Sequence, residues 1–106
     1  MSRSTHERDP HQRSPIAHLI LVLHFPDVHS LKEKRHLLSS LTAKIRERYP
    51  VSVAETGYQD LWQRAVVEVV MISSDPLLPE RIFEKISEMV LSTPEMVLLD
   101  SHREFL

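Results

Sequence analysis

IAHLILVLHF, residues 16–25, is the stretch of sequence that decides the fold. It lies between Pro15 and Pro26, and a short apolar run bounded in this way is typical of a buried strand at the centre of a sheet. Its longest uninterrupted apolar part, residues 19–23, is far shorter than the roughly 18–20 residues that cross a bilayer. We therefore predict a central strand, and we expect no membrane partner.

Two amphipathic helices are predicted after this strand. Ser30 and Glu33 have the spacing of a capping box, so the first helix begins there. The second helix begins at Asp75-Pro76 or, because proline suits a first helical turn, at Pro79. Each helix carries one apolar stripe, formed by Leu31, Leu37, Leu38, Leu41 and Ile45 in the first and by Leu78, Ile82, Phe83, Ile86, Met89 and Val90 in the second.

Three further strands complete the predicted order β-α-β-β-α-β. Alternation and β-branched residues place them over residues 51–56, 61–72 and 95–106. This order predicts an α+β fold of the ferredoxin-like split type, with a four-stranded antiparallel sheet and both helices on one face. Residues 16–106 form one domain in this prediction. Residues 1–15 are polar throughout and are expected to be a disordered N-terminal extension.

One glycine and no cysteine in 106 residues exclude several classes of function. A Walker loop needs two glycines and a dinucleotide-binding loop needs three, whereas this chain has only Gly57. Without cysteine there is no disulfide, thiol nucleophile or thiolate metal site. His24, His29 and His36 lack metal-site spacing, and no Gly-x-Ser-x-Gly elbow is present. We expect no enzymatic activity, no catalytic residue, no cofactor and no metal.

Three blocks of the sequence resemble a known family. HFPDVHSLKEKR (24–35), VSVAETGYQDLWQRA (51–65) and LLDSHREFL (98–106) are similar to the YlxP-like family of domains of unknown function, and the resemblance covers residues 16–106. It implies a bacterial cytoplasmic protein of ferredoxin-like fold without an established catalytic activity. Members are often encoded beside translation and ribosome-maturation factors, which implies work on RNA or the ribosome.

Positive charge is concentrated in the first helix. Residues 29–48 contain six Lys or Arg against two Glu, whereas residues 75–106 contain seven acidic residues against three basic ones. A basic helix is the electrostatic feature expected of phosphate contact, and such binding weakens with salt. The predicted RNA- or phosphate-binding residues are His29, Lys32, Lys34, Arg35 and Arg46. We expect no sequence-specific recognition of DNA, and a solvated helix face is the alternative explanation of the same charge.

Lys34 differs from the other basic residues of the first helix. At about 100° per residue it falls inside the apolar stripe rather than opposite it. Its side chain can extend past the sheet edge, pair with Glu55 or Asp60, or contact a ligand phosphate. Charge reversal separates these roles: lost folding indicates the pair, and retained folding with lost binding indicates the contact.

Alternation along the third predicted strand indicates which side chains face the helices. Gln63, Ala65, Val67, Val69 and Met71 are assigned to the covered core. The open face of the sheet then receives Ile20, Val22, His24, Trp62, Arg64, Val66 and Val70. A single aromatic residue at one end does not suit an RNA-recognition domain, which stacks several bases. An apolar patch suits a partner or a second copy, and YlxP-like members often carry acidic residues where this chain has Ile20 and Val22.

Two functions follow from these surfaces. The first is a non-enzymatic accessory protein of RNA or the ribosome, in which the turn over residues 29–35 combines positive charge with the amides of a helix N-terminus. The second is a dimeric regulatory or scaffold module that buries the open sheet face. Salt discriminates between them, because phosphate contacts weaken steeply with salt and an apolar dimer does not.

Overall fold

The computed structural model describes residues 15–106, and the predicted extension over residues 1–15 lies outside the described residues except for Pro15. The described residues contain four strands and two helices in the predicted order. Their bounds are β1 Ile16–His24, α1 Leu31–Arg48, β2 Ser52–Gly57, β3 Arg64–Ile72, α2 Leu78–Leu91 and β4 Val97–Phe105.

The four strands form one antiparallel sheet in the order β2-β3-β1-β4. β1 lies between β3 and β4, at the centre, as its apolar sequence predicts. The ladder between β1 and β3 pairs Ile16 with Ile72 at one end of the sheet and His24 with Arg64 at the other. The element order and the strand order together are those of the ferredoxin-like α+β fold, so the predicted fold class is confirmed.

The core lies between the helices and one face of the sheet. Every second residue of the two central strands is buried, as alternation predicts. These residues are Ala17, Leu19, Leu21, Leu23, Ala65, Val67, Val69 and Met71. The helices contribute Leu38, Leu41, Ile45, Ile82, Phe83, Ile86 and Val90 to the same cluster. α1 packs towards β2 and α2 towards β4, which leaves the second face of the sheet without a helix in residues 15–106.

The two helices begin differently. Ser30 Oγ accepts a hydrogen bond from the Glu33 backbone N–H at 3.1 Å, as the predicted capping box requires. Glu33 Oε2 accepts at 3.1 Å from the N–H of His29, one residue before the N-cap, rather than from that of Ser30. α2 has Pro79 in its first turn and no side-chain hydrogen bond at its N-cap. Neither helix within residues 15–106 combines the length and the apolar character that crossing a membrane requires.

Gly57 is the last residue of β2 and precedes the turn that leads to β3. A Cβ atom added to Gly57 would lie 2.9 Å from Val66 Cγ2, so the close approach of the two strands requires glycine here. The next residue, Tyr58, has a φ of 57°, in the left-handed region that turns the chain sharply. Strand pairing therefore ends at this point.

β3 begins at Arg64, three residues later than predicted. Residues 58–63 form the turn, which we call the Trp62 turn. Trp62 therefore lies in a turn rather than on the open face of a strand, and its predicted strand position is corrected. The physical cause is the sharp bend at Tyr58, which sequence alternation does not register.

Candidate nucleic-acid interface

The exposed surface of α1 carries a line of cations. Lys32, Arg35 and Arg46 are exposed and, at about 100° per residue, lie on one side of the helix with no carboxylate among them. We call these three residues the α1 cationic stripe. None of the three forms an ion pair within residues 15–106, where the ion pairs involve other side chains. No carboxylate of the described residues therefore competes with an anionic ligand for the stripe.

Arg46 has a second contact, at the edge of the sheet. Its Nη2 donates a hydrogen bond to the backbone carbonyl of Val53 at 3.0 Å. Val53 lies on β2, an edge strand whose free carbonyls could otherwise pair with another chain. A guanidinium has five N–H donors, so Arg46 covers this edge and retains donors for a phosphate.

The first turn of α1 already has its own anionic partner. Ser30 Oγ occupies the Glu33 amide, and the Glu33 carboxylate lies at the helix N-terminus, where it accepts from His29. A negative charge at this position complements the helix dipole. The predicted contribution of these amides to phosphate binding is thereby reduced, whereas the exposed His29 side chain stays a candidate.

Lys34 is enclosed beneath α1, with no exposed surface. Its Nζ lies 2.9 Å from Glu55 Oε2 on β2. Its Nζ also donates hydrogen bonds to three backbone carbonyls, those of Tyr58 at 2.9 Å, Arg64 at 3.0 Å and Gln59 at 3.4 Å. These three bonds use the three donors of an ammonium, so none remains for a phosphate.

The placement of Lys34 among the phosphate-binding residues is therefore corrected. Of the roles that the sequence left open, the ion pair with Glu55 is the one present. Asp60 is exposed and makes no ion pair with it. A lysine on an apolar stripe is a signal of burial. The predicted break between the strands at residues 57–60 gave no sign that the carbonyls of Tyr58 and Arg64 accept from Lys34.

The Trp62 turn is fixed to the rest of the fold at both sides. On the side of α1, Lys34 Nζ donates hydrogen bonds to the carbonyls of Tyr58 and Arg64. Gln63 Nε2 donates to the carbonyls of Pro26 at 3.3 Å and Val28 at 3.0 Å, which ties the turn to the connection between β1 and α1. The turn therefore lies at the same end of the molecule as the N-terminus of α1.

A groove of about 460 Å³ opens beside this turn. It is lined by His24, Asp60, Leu61, Trp62, Gln63 and Arg64, and we call it the Trp62 groove. Trp62 is 51% exposed and Leu61 is 49% exposed. His24 Nδ1 lies 2.9 Å from the Gln63 carbonyl oxygen, so its ring is held at the groove wall. Three of the residues predicted for the partner face, His24, Trp62 and Arg64, thus come together here.

The remaining predicted partner-face residues lie on the open side of the sheet. Ile20, Val22 and Val66 are half-buried and Val70 is exposed. The register places Ile20 beside Glu68 and beside His102, and Val22 beside Asp100. The apolar centre is therefore narrow, and polar side chains flank it more closely than the sequence indicated.

Glu68 is the centre of a polar cluster on the open face. Its Oε1 lies 2.6 Å from His18 Nε2, and its Oε2 accepts a hydrogen bond from the Thr56 hydroxyl. The hydrogen bond from Thr56, and next the one from His18, lower the pKa of the Glu68 carboxyl below its ordinary value of 4.5. The strand register makes this contact possible, because it pairs Glu68 with Ile20, two residues from His18 on the same face of β1.

Within residues 15–106, no three His, Cys, Asp or Glu side chains are grouped so that they could hold a metal ion. The three histidines considered above lie on separate elements: His24 at the end of β1, His29 in the following loop and His36 on α1. The His24 ring, for example, is hydrogen-bonded to the backbone carbonyl of Gln63.

Two comparisons with known proteins agree with each other. Residues 16–103 match a family model described as "Protein of unknown function (DUF503)". The chain is also similar to a curated protein of Bacillus subtilis (strain 168), named "Uncharacterized protein YlxP". The two are 34% identical over 70 residues, which cover 66% of this chain and 76% of the relative.

Proposed function

The chain belongs to the family described as "Protein of unknown function (DUF503)", and because that description assigns no activity, we propose from the site that it is a non-enzymatic RNA- or ribosome-associated accessory protein. The α1 cationic stripe contacts phosphates of the RNA backbone. The observation that carries this proposal is that Lys32, Arg35 and Arg46 are exposed and form no ion pair within residues 15–106.

The spacing of the stripe suits an extended polyanion. With a rise of about 1.5 Å per residue, Lys32 and Arg35 lie about 4.5 Å apart along the helix axis, and Arg46 lies about 21 Å from Lys32. Successive phosphates of a nucleic acid present charge along a comparable line. The stripe therefore contacts two or more phosphates of one strand rather than a single small anion.

The distribution of charge between the helices supports the same surface. On α2, Arg81 and Lys85 lie beside Glu80, Glu84 and Glu88 along one shallow depression. An anion approaching that surface meets carboxylates of the same helix and is repelled by them. The cations of α1 therefore attract phosphate more strongly, although both helices expose two or more basic side chains.

Sedimentation through a sucrose gradient tests the proposal. The tagged protein, in a bacterial lysate, is run at low and high salt beside a Lys32→Glu, Arg35→Glu double variant. The matched control is Arg81→Glu with Lys85→Glu, which reverses the same number of exposed charges on α2. Circular dichroism shows that each variant is folded.

We expect the protein to co-migrate with a ribosomal particle at low salt and to leave it at high salt. The α1 double variant stays at the top of the gradient, whereas the α2 double variant co-migrates as the wild type does, because only the former removes phosphate contacts. Failure of the wild type to co-migrate at low salt, or equal loss in both variants, contradicts the proposal.

A second candidate function is a dimeric regulatory or scaffold module. The observation that favours it is the sheet face that no helix of residues 15–106 covers, with Ile20, Val22 and Val66 at its centre. A stable interface buries about 1,200–2,000 Å², so the narrow apolar centre would need its polar surround as well. Sedimentation velocity tests it: a salt-insensitive dimer that Val22→Arg dissociates supports it, and a monomer at all concentrations contradicts it.

A further inference from the structure

Trp62 is the single tryptophan of the chain, and it is half exposed in a turn. A large aromatic side chain left in water forgoes the free energy that burying it in the core would provide. The neighbouring Leu61 is exposed to nearly the same extent. Two large apolar side chains therefore lie together at the surface, beside an open groove of about 460 Å³.

The turn that carries Trp62 is rigidly held. The buried ammonium of Lys34 is bonded to backbone carbonyls at both ends of the turn, those of Tyr58 and Arg64. Within the turn, the Leu61 N–H donates to the Tyr58 carbonyl at 3.0 Å. A platform held in this way loses little conformational entropy when a ligand binds on it, which is the benefit of preorganisation.

The polar residues of the groove match one nucleotide. Arg64 offers a guanidinium to a phosphate and His24 offers an imidazole. Asp60 offers a carboxylate that accepts hydrogen bonds from base N–H groups. An indole stacks on the face of any unpaired base, as aromatic side chains do in proteins that bind single-stranded RNA.

Lys34 also connects this groove to the α1 cationic stripe. It lies in the first turns of α1, two residues after Lys32 and one before Arg35, and its Nζ reaches the carbonyls at both ends of the Trp62 turn. The Trp62 groove and the N-terminal part of the stripe, Lys32 and Arg35, are therefore held in a fixed arrangement at one end of the fold. One strand of RNA can contact both without any change in the protein.

We propose that the Trp62 groove binds one unpaired base of the RNA strand whose phosphates contact the α1 cationic stripe, with the base stacked on Trp62 and Arg64 at its phosphate. This inference rests on the proposed function, and it adds that the partner is single-stranded at the contact point. One aromatic residue accounts for one base, which separates this site from domains that stack several bases across a sheet.

The sole tryptophan makes the test direct. The full chain is titrated with a fluorescently labelled single-stranded ten-nucleotide RNA, while label anisotropy reports binding and intrinsic fluorescence reports stacking on Trp62. The same titration uses an oligomer of equal length with abasic sites. Trp62→Ala and Trp62→Phe are compared with Leu91→Ala, which shortens an apolar side chain that is 68% exposed at the end of α2.

We expect the intact RNA to quench Trp62 fluorescence as it raises anisotropy, and the abasic oligomer to bind more weakly without quenching. Trp62→Ala weakens binding about tenfold, within the range that loss of one stacked base gives. Trp62→Phe retains most of the affinity, and Leu91→Ala binds as the wild type does.

The outcomes separate this inference from the proposed function. Anisotropy that rises without quenching, with Trp62→Ala binding as tightly as the wild type, overturns the groove and leaves the α1 cationic stripe in place. No anisotropy change at low salt overturns both. Equal binding of intact and abasic oligomers also overturns the groove, because stacking needs a base.

Discussion

Glu55 and Glu68 are carboxylates on adjacent strands, but they lie on opposite faces of the sheet. Glu55, on β2, points under α1 and pairs with the fully buried Lys34 at 2.9 Å. Glu68, on β3, points to the open face and is bonded to His18 and Thr56. Each has close polar partners, and only the first lies against a cation that water does not reach.

The difference shows that burial, more than the number of hydrogen-bond partners, determines how much a polar contact contributes to the stability of the fold. A buried ammonium that loses a partner keeps its full desolvation cost, whereas a partly exposed carboxylate is solvated by water instead. The Lys34 contacts therefore fix the position of a turn, and the Glu68 contacts adjust a pKa. Four variants, ordered from the largest expected effect to the smallest, test this contrast.

Lys34→Met removes the buried cation while keeping most of its aliphatic volume. We expect a loss of about 3 kcal/mol in the free energy of unfolding, because Glu55 loses its cation and the carbonyls of Tyr58 and Arg64 lose their donor. Urea denaturation followed by circular dichroism measures it. Lys32→Met, two residues earlier and exposed, is the control and changes stability by less than about 0.5 kcal/mol. Equal effects of the two variants would show that burial is not the cause.

Glu55→Gln asks how much of that stability depends on the carboxylate rather than on the backbone carbonyls. The side-chain amide keeps the size of the carboxylate, so the charge of the ion pair is what is lost. We expect a cost of about 1.5 kcal/mol, less than that of Lys34→Met, because the carbonyls of Tyr58 and Arg64 still accept from the ammonium. A cost as large as that of Lys34→Met would mean that the carbonyls of Tyr58 and Arg64 contribute little.

Arg103→Met tests a cation of intermediate burial. Arg103, on β4, is bonded to Glu80 and Glu84 of α2, and its side chain is 24% exposed while those of its partners are more than half exposed. We expect a cost of about 0.5 kcal/mol that decreases as salt is added. A larger cost in urea denaturation, or one that salt does not reduce, would show that the Arg103 contacts resemble the buried contact between Lys34 and Glu55.

We expect the smallest effect on stability from the Glu68 contacts, and this effect is detected by varying the pH. The pKa of Glu68 lies below the ordinary value of 4.5, chiefly because Thr56 donates to it. The hydrogen-bonded Glu68 carboxylate therefore stabilises the fold above about pH 4.5. This contribution is lost as the pH falls through the lowered pKa of Glu68. Carboxyl NMR titration should show the pKa rising in Thr56→Val, and an unchanged pKa would refute the role of the hydroxyl.

The sequence predicted the elements of the fold because their signals are local and repeated. The apolar run of β1 and the alternation in β3 identified the buried residues of both strands. Gln63, which alternation assigned to the core, is instead half-buried in the Trp62 turn. The capping box located the start of α1. Each of these signals depends on residues within one helical turn or one strand, so no tertiary contact was needed to predict them.

The site was predicted less completely, since its geometry depends on contacts between distant residues. Nothing in the local pattern showed that Tyr58 takes a left-handed conformation or that Lys34 reaches the carbonyls beyond it. These two facts remove Lys34 from the phosphate-binding residues and move Trp62 from a strand into a turn. The exposed residues of the stripe, Lys32 and Arg35, were predicted correctly as exposed because helical periodicity alone fixes their side.

The central position of β1 has a consequence for how the protein is made. β1 is synthesised first among the strands, but its two neighbours come much later: His24 pairs with Arg64 in β3, and Ala17 pairs with Phe105 in β4. At about 5–20 residues per second, the chain between Ala17 and Phe105 takes roughly 4–18 s to translate. The most apolar strand of the protein therefore waits for its last partner throughout almost the whole of synthesis, and the sheet closes only once β4 has been added.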